Sequence, residues 1–356
     1  MALVAISLST SFVSCSDDDD DLMGNWVYVT QMDGNPRMYA TGATVEESDG
    51  TEYGYFGTGI DGDGDRLTDC WKFNPLEGGE FGSWTKLPDL PGVARDKAVS
   101  FSLKGKFYLG AGYTDVGGDD GEQRVYLSDF YCYDPSSNTW SSIDPIPHVE
   151  DGEQKGLRGC TAFVLGDKAY VGLGYDGTNY QKKFFVFDGT SWESTTISYA
   201  GRKLEGAAAF VIGDKAFVGA GQSNSSHTSE FYSFNGTSFE KLHTLDTDDD
   251  DDYSKDDDYG TSIKRSYTAT FVMDGKGYFA TAGQGSTGKT VWEYVPSGDK
   301  WIERTSFEGS SRLGAVGFTI NRVGYVVSGG TVGASSVYDD IWRFEPSSEQ
   351  SDSDNI

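Results

Sequence analysis

The chain alternates short apolar runs with turns rich in glycine and aspartate, and one such run recurs six times. Gly166 to Gly174 reads GDKAYVGLG, and Gly213 to Gly221 (GDKAFVGAG) is nearly a copy. Gly105 to Gly112, Gly275 to Gly283 and Arg322 to Gly330 follow the same scheme; Tyr53 to Gly59 is the weakest copy. Each reads as a tight turn followed by a strand. A Gly-Asp or Asp-Gly pair supplies a hairpin turn that tolerates positive φ. The aromatic and β-branched residues behind it suit a pleated, half-buried surface. The small residues that end each run let backbones approach closely.

The rest of each unit also repeats. An apolar strand precedes the turn, as in Cys160 to Leu165 or Ala207 to Ile212. A variable loop follows, then an aromatic-alternating strand such as Asp129 to Pro135 or Asp340 to Pro346, then a polar turn leading to Trp84, Trp140, Trp192, Phe239 or Trp301. Four short strands, six times over, predict an all-β chain folded as a six-bladed β-propeller. The matching aromatics Tyr55, Tyr108, Tyr170, Phe217, Tyr278 and Tyr325 lie roughly 47 to 62 residues apart, near the period of about 50 for kelch units. The glycine doublet, the Asp-x-x-Trp/Tyr run ending in Asp-Pro and the spaced tryptophan resemble the kelch repeat over residues 24–346. That resemblance implies a kelch-type propeller of the galactose oxidase-like superfamily. It implies little about function, because such propellers include enzymes, sugar binders and interaction modules.

The sixth unit lacks a last strand, since the repeat pattern ends at Pro346, while Gly24 to Val29 matches the end of a unit. Residues around Asn25 to Thr30 are therefore expected to complete the sixth blade and close the ring. Trp26 should lie buried beside Trp342 and Phe344. Residues 347–356 read as a polar, disordered tail.

The first residues change the picture of location. Met1 to Val13 is apolar, too short to span a bilayer, and reads as the core of a secretory signal. No basic residue precedes it, a departure that leaves open a start codon upstream. Phe12 to Cys15 resembles a relaxed lipobox. The acidic run after it resembles the surface-export signal of lipoproteins in one phylum of Gram-negative bacteria. The resemblance implies a signal peptide over 1–14, lipidation at Cys15 and an acidic linker over 15–23. The expected protein is anchored to the outer membrane by lipid alone, surface-exposed and monomeric.

Net charge is −28, with acidic runs at Asp17 to Asp21 and Asp246 to Asp258, and the remainder is still acid-rich. Such a surface repels nucleic acid and anionic lipid. The second run reads as a solvated loop. Cys70, Cys132 and Cys160 lie on strands of different units and read as small buried hydrophobes, with one disulfide left open by an extracytoplasmic setting.

Candidate chemistry gathers on one face. The loops between blades and those between second and third strands share it, and they are the long ones. A basic residue recurs ahead of the innermost strand: Arg95, Arg158, Arg265 and Arg312, with Arg37 and Arg202 close to that place. Glu205 takes the place of Arg158 when units are aligned on Phe163 and Phe210. These arginines, with Glu205 among them, are expected to ring a funnel that favours an acidic ligand. Tyr113, Tyr175, Gln222 and Gln284 should share the rim, offering stacking and directional hydrogen bonds. Asp61, Asp63 and Asp65 alternate like a calcium loop, but Lys72 stands where an EF-hand needs glutamate. Calcium is the one cofactor the residues suggest. The three histidines, His148, His227 and His243, all fall on the long-loop side. No phosphate loop, zinc motif or nucleophile elbow is present.

The first functional reading is an envelope lipoprotein whose long-loop face binds a glycan or an envelope protein. The alternative is an enzyme. Some bacterial kelch propellers of this size are sialic acid (N-acetylneuraminate) mutarotases, which use a Glu and an Arg near the channel mouth. Here that resemblance points to Glu205 with Arg202 or Arg158, with no catalytic role carried over.

Overall fold

The computed structural model describes residues 22–116, 123–245, 263–282 and 288–355. Cys15, Gln284 and the run Asp246 to Asp258 lie outside these. Six four-stranded antiparallel sheets stand radially around one axis. Their innermost strands are Thr41–Glu46, Val99–Leu103, Thr161–Leu165, Ala208–Ile212, Ala269–Met273 and Val316–Ile320. Each packs against its neighbour, and the sixth against the first, so the ring is closed. We number the blades in that order.

Within a blade the inner and second strands are joined by the tight turn that the sequence pattern predicts. The turn sets the register so that two aromatics meet across the strands. Phe101 stacks on Tyr108 (4.9 Å between ring centroids), Phe163 on Tyr170 (5.1 Å), Phe210 on Phe217 (5.5 Å) and Phe271 on Tyr278 (5.1 Å). Each such pair contributes about 0.5–1.5 kcal/mol beyond its area.

The apolar core is divided among six clusters, and each lies between two adjacent blades. A blade has two apolar faces and neither is covered by the blade itself. Stability therefore depends on the neighbours, as in other repeat architectures.

Strand Asn25–Gln31 pairs with Asp340–Glu345 and supplies the outer strand of blade 6. Trp26 is fully buried against Phe344 (4.7 Å), Phe307 (4.9 Å) and Phe271 of blade 5 (6.2 Å). The closure expected from the spare Asn25 and Trp26 is what the structure shows.

One expectation needs correction. The tail is not frayed. Gly24 N–H donates to the Ser348 carbonyl (3.0 Å), Ser351 N–H donates to Asn25 Oδ1 (2.8 Å), and Asn25 Nδ2 donates to Asp354 (2.8 Å). Asn25 offers both a donor and an acceptor, and the polar tail satisfies both. Cys70, Cys132 and Cys160 form no disulfide; Cys70 and Cys132 are buried, and burial pushes the Cys70 and Cys160 thiols well above their ordinary range. Among the described residues no helix is long and apolar enough to cross a membrane.

Candidate functional site at the channel mouth

Three consecutive residues precede each inner strand, and each has a different task. Backbone hydrogen bonds set their register. The N–H groups of Gly59, Gly112, Gly174, Gly221, Ala282 and Gly329 donate to the carbonyls of Arg95, Leu157, Leu204, Arg265, Arg312 and Arg37. Those six are the first residues of the triplets and stand in the wall.

The wall arginines Arg37, Arg95, Arg265 and Arg312 are at most 1% exposed. Each spends Nε on the carbonyl two residues earlier and Nη1 on the carbonyl of the residue just past the second strand, those of Thr58, Ala111, Thr281 and Ser328. Three then grip a carboxylate bidentately. Arg37 holds Asp69 (Nη2 to Oδ2, 2.7 Å), Arg95 holds Asp129 (2.8 Å) and Arg312 holds Asp340 (2.8 Å). Arg265 bonds Thr290 Oγ1 (2.8 Å). Burial would raise the pKa of Asp69 and Asp129, but the paired guanidinium outweighs it and holds both below the ordinary value. The expected ring of ligand-facing arginines is thus corrected for these four. Their donors are committed inside the wall, where they tie the second strand to the third.

The second residues of the triplets are Met38, Asp96, Arg158, Glu205, Ser266 and Leu313. They stand one residue further on, and in extended chain one residue turns a side chain to the other face. Asp96, Arg158, Glu205 and Leu313 pair through backbone with Tyr113, Tyr175, Gln222 and Gly330. Here Arg158 and Glu205 meet. Arg158 Nε donates to Glu205 Oε2 (3.0 Å) and Gln222 Nε2 donates to Glu205 Oε1 (3.3 Å). Ser266 Oγ donates to Gln222 Oε1 (3.1 Å) and takes a hydrogen bond from His227 Nε2 (3.1 Å). That arrangement leaves His227 Nδ1 without a partner. Burial, helped by Arg265, lowers the His227 pKa, so the ring is neutral at pH 7.

On the other side of Arg158 stands Asp96, 1% exposed. Arg66 reaches it (3.3 Å), pairs also with Asp115 (2.8 Å) and lies 4.5 Å over the Tyr113 ring. Burial raises the Asp96 pKa to about 6, against the opposing pull of Arg66, Lys97 and Arg158. Aromatic faces surround Arg158: Tyr113 at 5.1 Å, Tyr175 at 5.2 Å and Tyr126 at 5.8 Å.

The third residues are Tyr39, Lys97, Gly159, Gly206, Tyr267 and Gly314, and all six have φ between 49° and 65°. Each N–H donates to the carbonyl of its counterpart in the preceding blade, at 2.8–3.0 Å, and the sixth link returns to the first. A closed hoop of six hydrogen bonds encircles the channel. The glycines leave room for the large members. A Cβ on Gly206 would stand 2.6 Å from the Tyr267 ring, and one on Gly314 2.8 Å from that of Tyr39. Lys97 Nζ sits between those tyrosines, 4.5 Å from Tyr39 and 5.0 Å from Tyr267. Burial, with Arg158 nearby, pulls the Lys97 ammonium below the usual lysine range.

Above the hoop a cavity of about 440 Å³ opens between blades 4, 5 and 6, lined by Gln222, His227, Ser266, Tyr267, Leu313 and Thr331 among others. The cluster beside it contains Arg66, Lys97, Arg158, Asp96, Asp115 and Glu205, three charges of each sign. The expected positive funnel is therefore a mouth of mixed charge. Tyr113, Tyr175 and Gln222 stand at this mouth, beside Arg158 and Glu205. Arg202 does not: it is 69% exposed and its partner is Glu230. Asp61 accepts from its own loop at Asp63 N–H (3.1 Å) and Asp65 N–H (2.9 Å), while Asp63 and Asp65 face solvent. The three do not converge as a ligand set. Lys97, Asp96, Arg66, Tyr39 and Tyr267 were missed; counting back six and five residues from each inner-strand phenylalanine would have separated wall from mouth.

Comparison with known proteins adds a match to the family model described as Kelch motif over residues 116–147. Those residues run from the loop ahead of the third strand of blade 2 through its fourth strand. The chain is a kelch-type propeller. The solved structure of YjhT superposes on this kelch ring with a TM-score of 0.65 over 87% of this chain and 95% of that one, at 18% identity. Part of the sequence is similar to curated proteins named N-acetylneuraminate epimerase. Identity is 33% over 106 residues for that of Yersinia enterocolitica and 32% over 104 residues for that of Salmonella typhi. These stretches cover 30% and 29% of this chain, and about a quarter of each relative's length.

Proposed function

We propose that the channel mouth interconverts the anomers of N-acetylneuraminate or a closely similar carboxylated sugar. The observation that carries this is the Arg158–Glu205 pair, held at the mouth by Gln222 and walled by tyrosines. The partial likeness to N-acetylneuraminate epimerases supports the choice of substrate.

Anomer exchange needs a base, an acid and a place for the carboxylate on the anomeric carbon. The substrate carboxylate competes with Glu205 for Arg158, with Lys97 as a second cation. Glu205, released, takes the proton of the anomeric hydroxyl as the bond from the anomeric carbon to the ring oxygen breaks. Asp96, on the far side of Arg158, is the carboxyl whose burial favours the protonated form, so it supplies a proton to the ring oxygen. The keto group of the open chain turns and the ring closes from the other face, with both protons returned. Atoms and charge balance with no external reagent. Tyr113, Tyr126 and Tyr175 offer the flat faces on which sugars stack.

Following the exchange of N-acetylneuraminate anomers by NMR tests this. The wild-type protein should accelerate exchange, and Glu205→Gln should lose about 10²–10⁴-fold, the scale of one positioned acid–base group. Tight capture of the sugar without acceleration would replace the enzyme with a glycan-binding module; neither capture nor acceleration would discard the substrate class.

A further inference from the structure

A second cluster lies outside the Arg158–Glu205 mouth. The loop from blade 2 to blade 3 forms a hairpin of Val149–Glu150 with Glu153–Gln154, and His148 stands at its base. Across from it, the loop after the second strand of blade 3 carries Asp176 and Gln181. One donor atom from each of His148, Glu150 and Asp176 lies within 4.8 Å of the other two. His148 is 4% exposed, and Asp176 and Gln181 are each 8% exposed.

We propose that His148, Glu150 and Asp176, with Gln181 as fourth ligand, bind a divalent first-row transition ion, Zn²⁺ fitting best. Four observations support the site. First, His148 Nε2 and Asp176 Oδ2 are 3.3 Å apart. That is long for an N–H···O bond, but it matches the edge of a tetrahedron, about 3.3 Å, when metal–ligand bonds are about 2.0–2.1 Å. Second, the two carboxylates share one small donor. Gln181 Nε2 lies 2.6 Å from Asp176 Oδ2 and 3.2 Å from Glu150 Oε1. Among the described residues no lysine or arginine forms an ion pair with either acid. A cation between them would remove that repulsion.

Third, the ligands are oriented from behind. Asp176 Oδ1 accepts the N–H groups of Thr178 (2.8 Å) and Asn179 (2.6 Å), which leaves Oδ2 facing the cluster. Gln154 Nε2 donates to the carbonyls of Ile146 (2.6 Å) and His148 (3.1 Å) and fixes the turn that carries the imidazole. Outer contacts of this kind hold metal ligands in place. Fourth, the Gln181 backbone is pinned, its N–H donating to Gly174 and its carbonyl accepting from Leu204. A half-turn of its amide presents Oε1 to the cluster, and with the side chain eased back from its 2.6 Å approach to Asp176 Oδ2 it completes a set of one nitrogen and three oxygens. That set suits Zn²⁺, Co²⁺ or Mn²⁺ and contains no sulfur for Cu⁺. The bound ion would clamp the hairpin to the loop that carries Tyr175.

The test uses the full chain, stripped with chelator and titrated with ZnCl₂ by calorimetry. One ion per chain is expected, with affinity reduced at least 100-fold in His148→Ala and in Asp176→Asn. Wild type should melt higher with Zn²⁺ and the variants should not. Should the variants fail to fold, CoCl₂ added to wild type gives an independent answer. Intense visible bands of tetrahedral cobalt support the site; only the weak band of hydrated cobalt overturns it. Absence of saturable Zn²⁺ binding, or binding unchanged in His148→Ala, overturns it as well.

Discussion

Arg95 and its three counterparts occupy a place that blades 3 and 4 give to Leu157 and Leu204. Both solutions fill the same wall, but an arginine there brings donors that must be satisfied, and Arg37, Arg95 and Arg312 meet a carboxylate. Removing the arginine leaves a half-buried carboxylate that water reaches in part, so the cost is that of lost hydrogen bonds to a charged group, about 1.5–3 kcal/mol. Arg95→Leu should lose that much in urea unfolding, while Arg95→Leu with Asp129→Asn should recover most of it. Asp96 behaves differently, because burial favours its neutral form. Its pKa is raised from 3.8 to about 6, so the folded protein binds a proton there that the unfolded chain has released between those values. Stability from this group therefore falls as pH rises from 4 to 6 and is level above. In Asp96→Asn that fall disappears. Between pH 4 and 7 the variant should gain roughly 2–3 kcal/mol over wild type, read as the difference between two unfolding curves. A difference flat across that range would refute the assignment. At this scale the sequence was half legible. Arg158 looks like Arg95 because both are arginines before a strand, yet it lies five residues ahead of its phenylalanine rather than six. Residue type alone does not reveal that offset, and the offset decides between wall and channel.

The strand Asn25–Gln31 joins the two ends of the chain, and Trp26 is its anchor, touching blade 5 as well as its own blade. Trp26→Ala should cost about 3–5 kcal/mol, as for other buried aromatics. An unchanged urea midpoint would mean that the strand does not hold the ring. Strands were the most legible feature, because a period of two with aromatic pairs survives in every unit. The short hairpins on the long-loop face, such as Tyr113–Val116 with Gln123–Tyr126, were not foreseen. Their arms are four residues or fewer, too short for an alternating pattern to show. The tail was misread for a related reason: its order comes from Asn25, more than 300 residues away, and no local pattern reports such a partner.

For the whole molecule, six clusters shared between neighbours mean that the ring is one cooperative body, and the mouth sits on its axis. The six hydrogen bonds around that axis all run the same way, each blade donating to the one before. Dipoles laid head to tail in a circle cancel one another. A helix terminus lends its site a fixed charge; this circuit lends none. The polarity of the opening is then set by the side chains that stand on it. Changing Lys97, Asp96, Arg158 or Glu205 alters the sign of that opening and leaves the circuit that supports it intact. One scaffold can thus be retuned for acidic, neutral or basic visitors by a few substitutions on its axis.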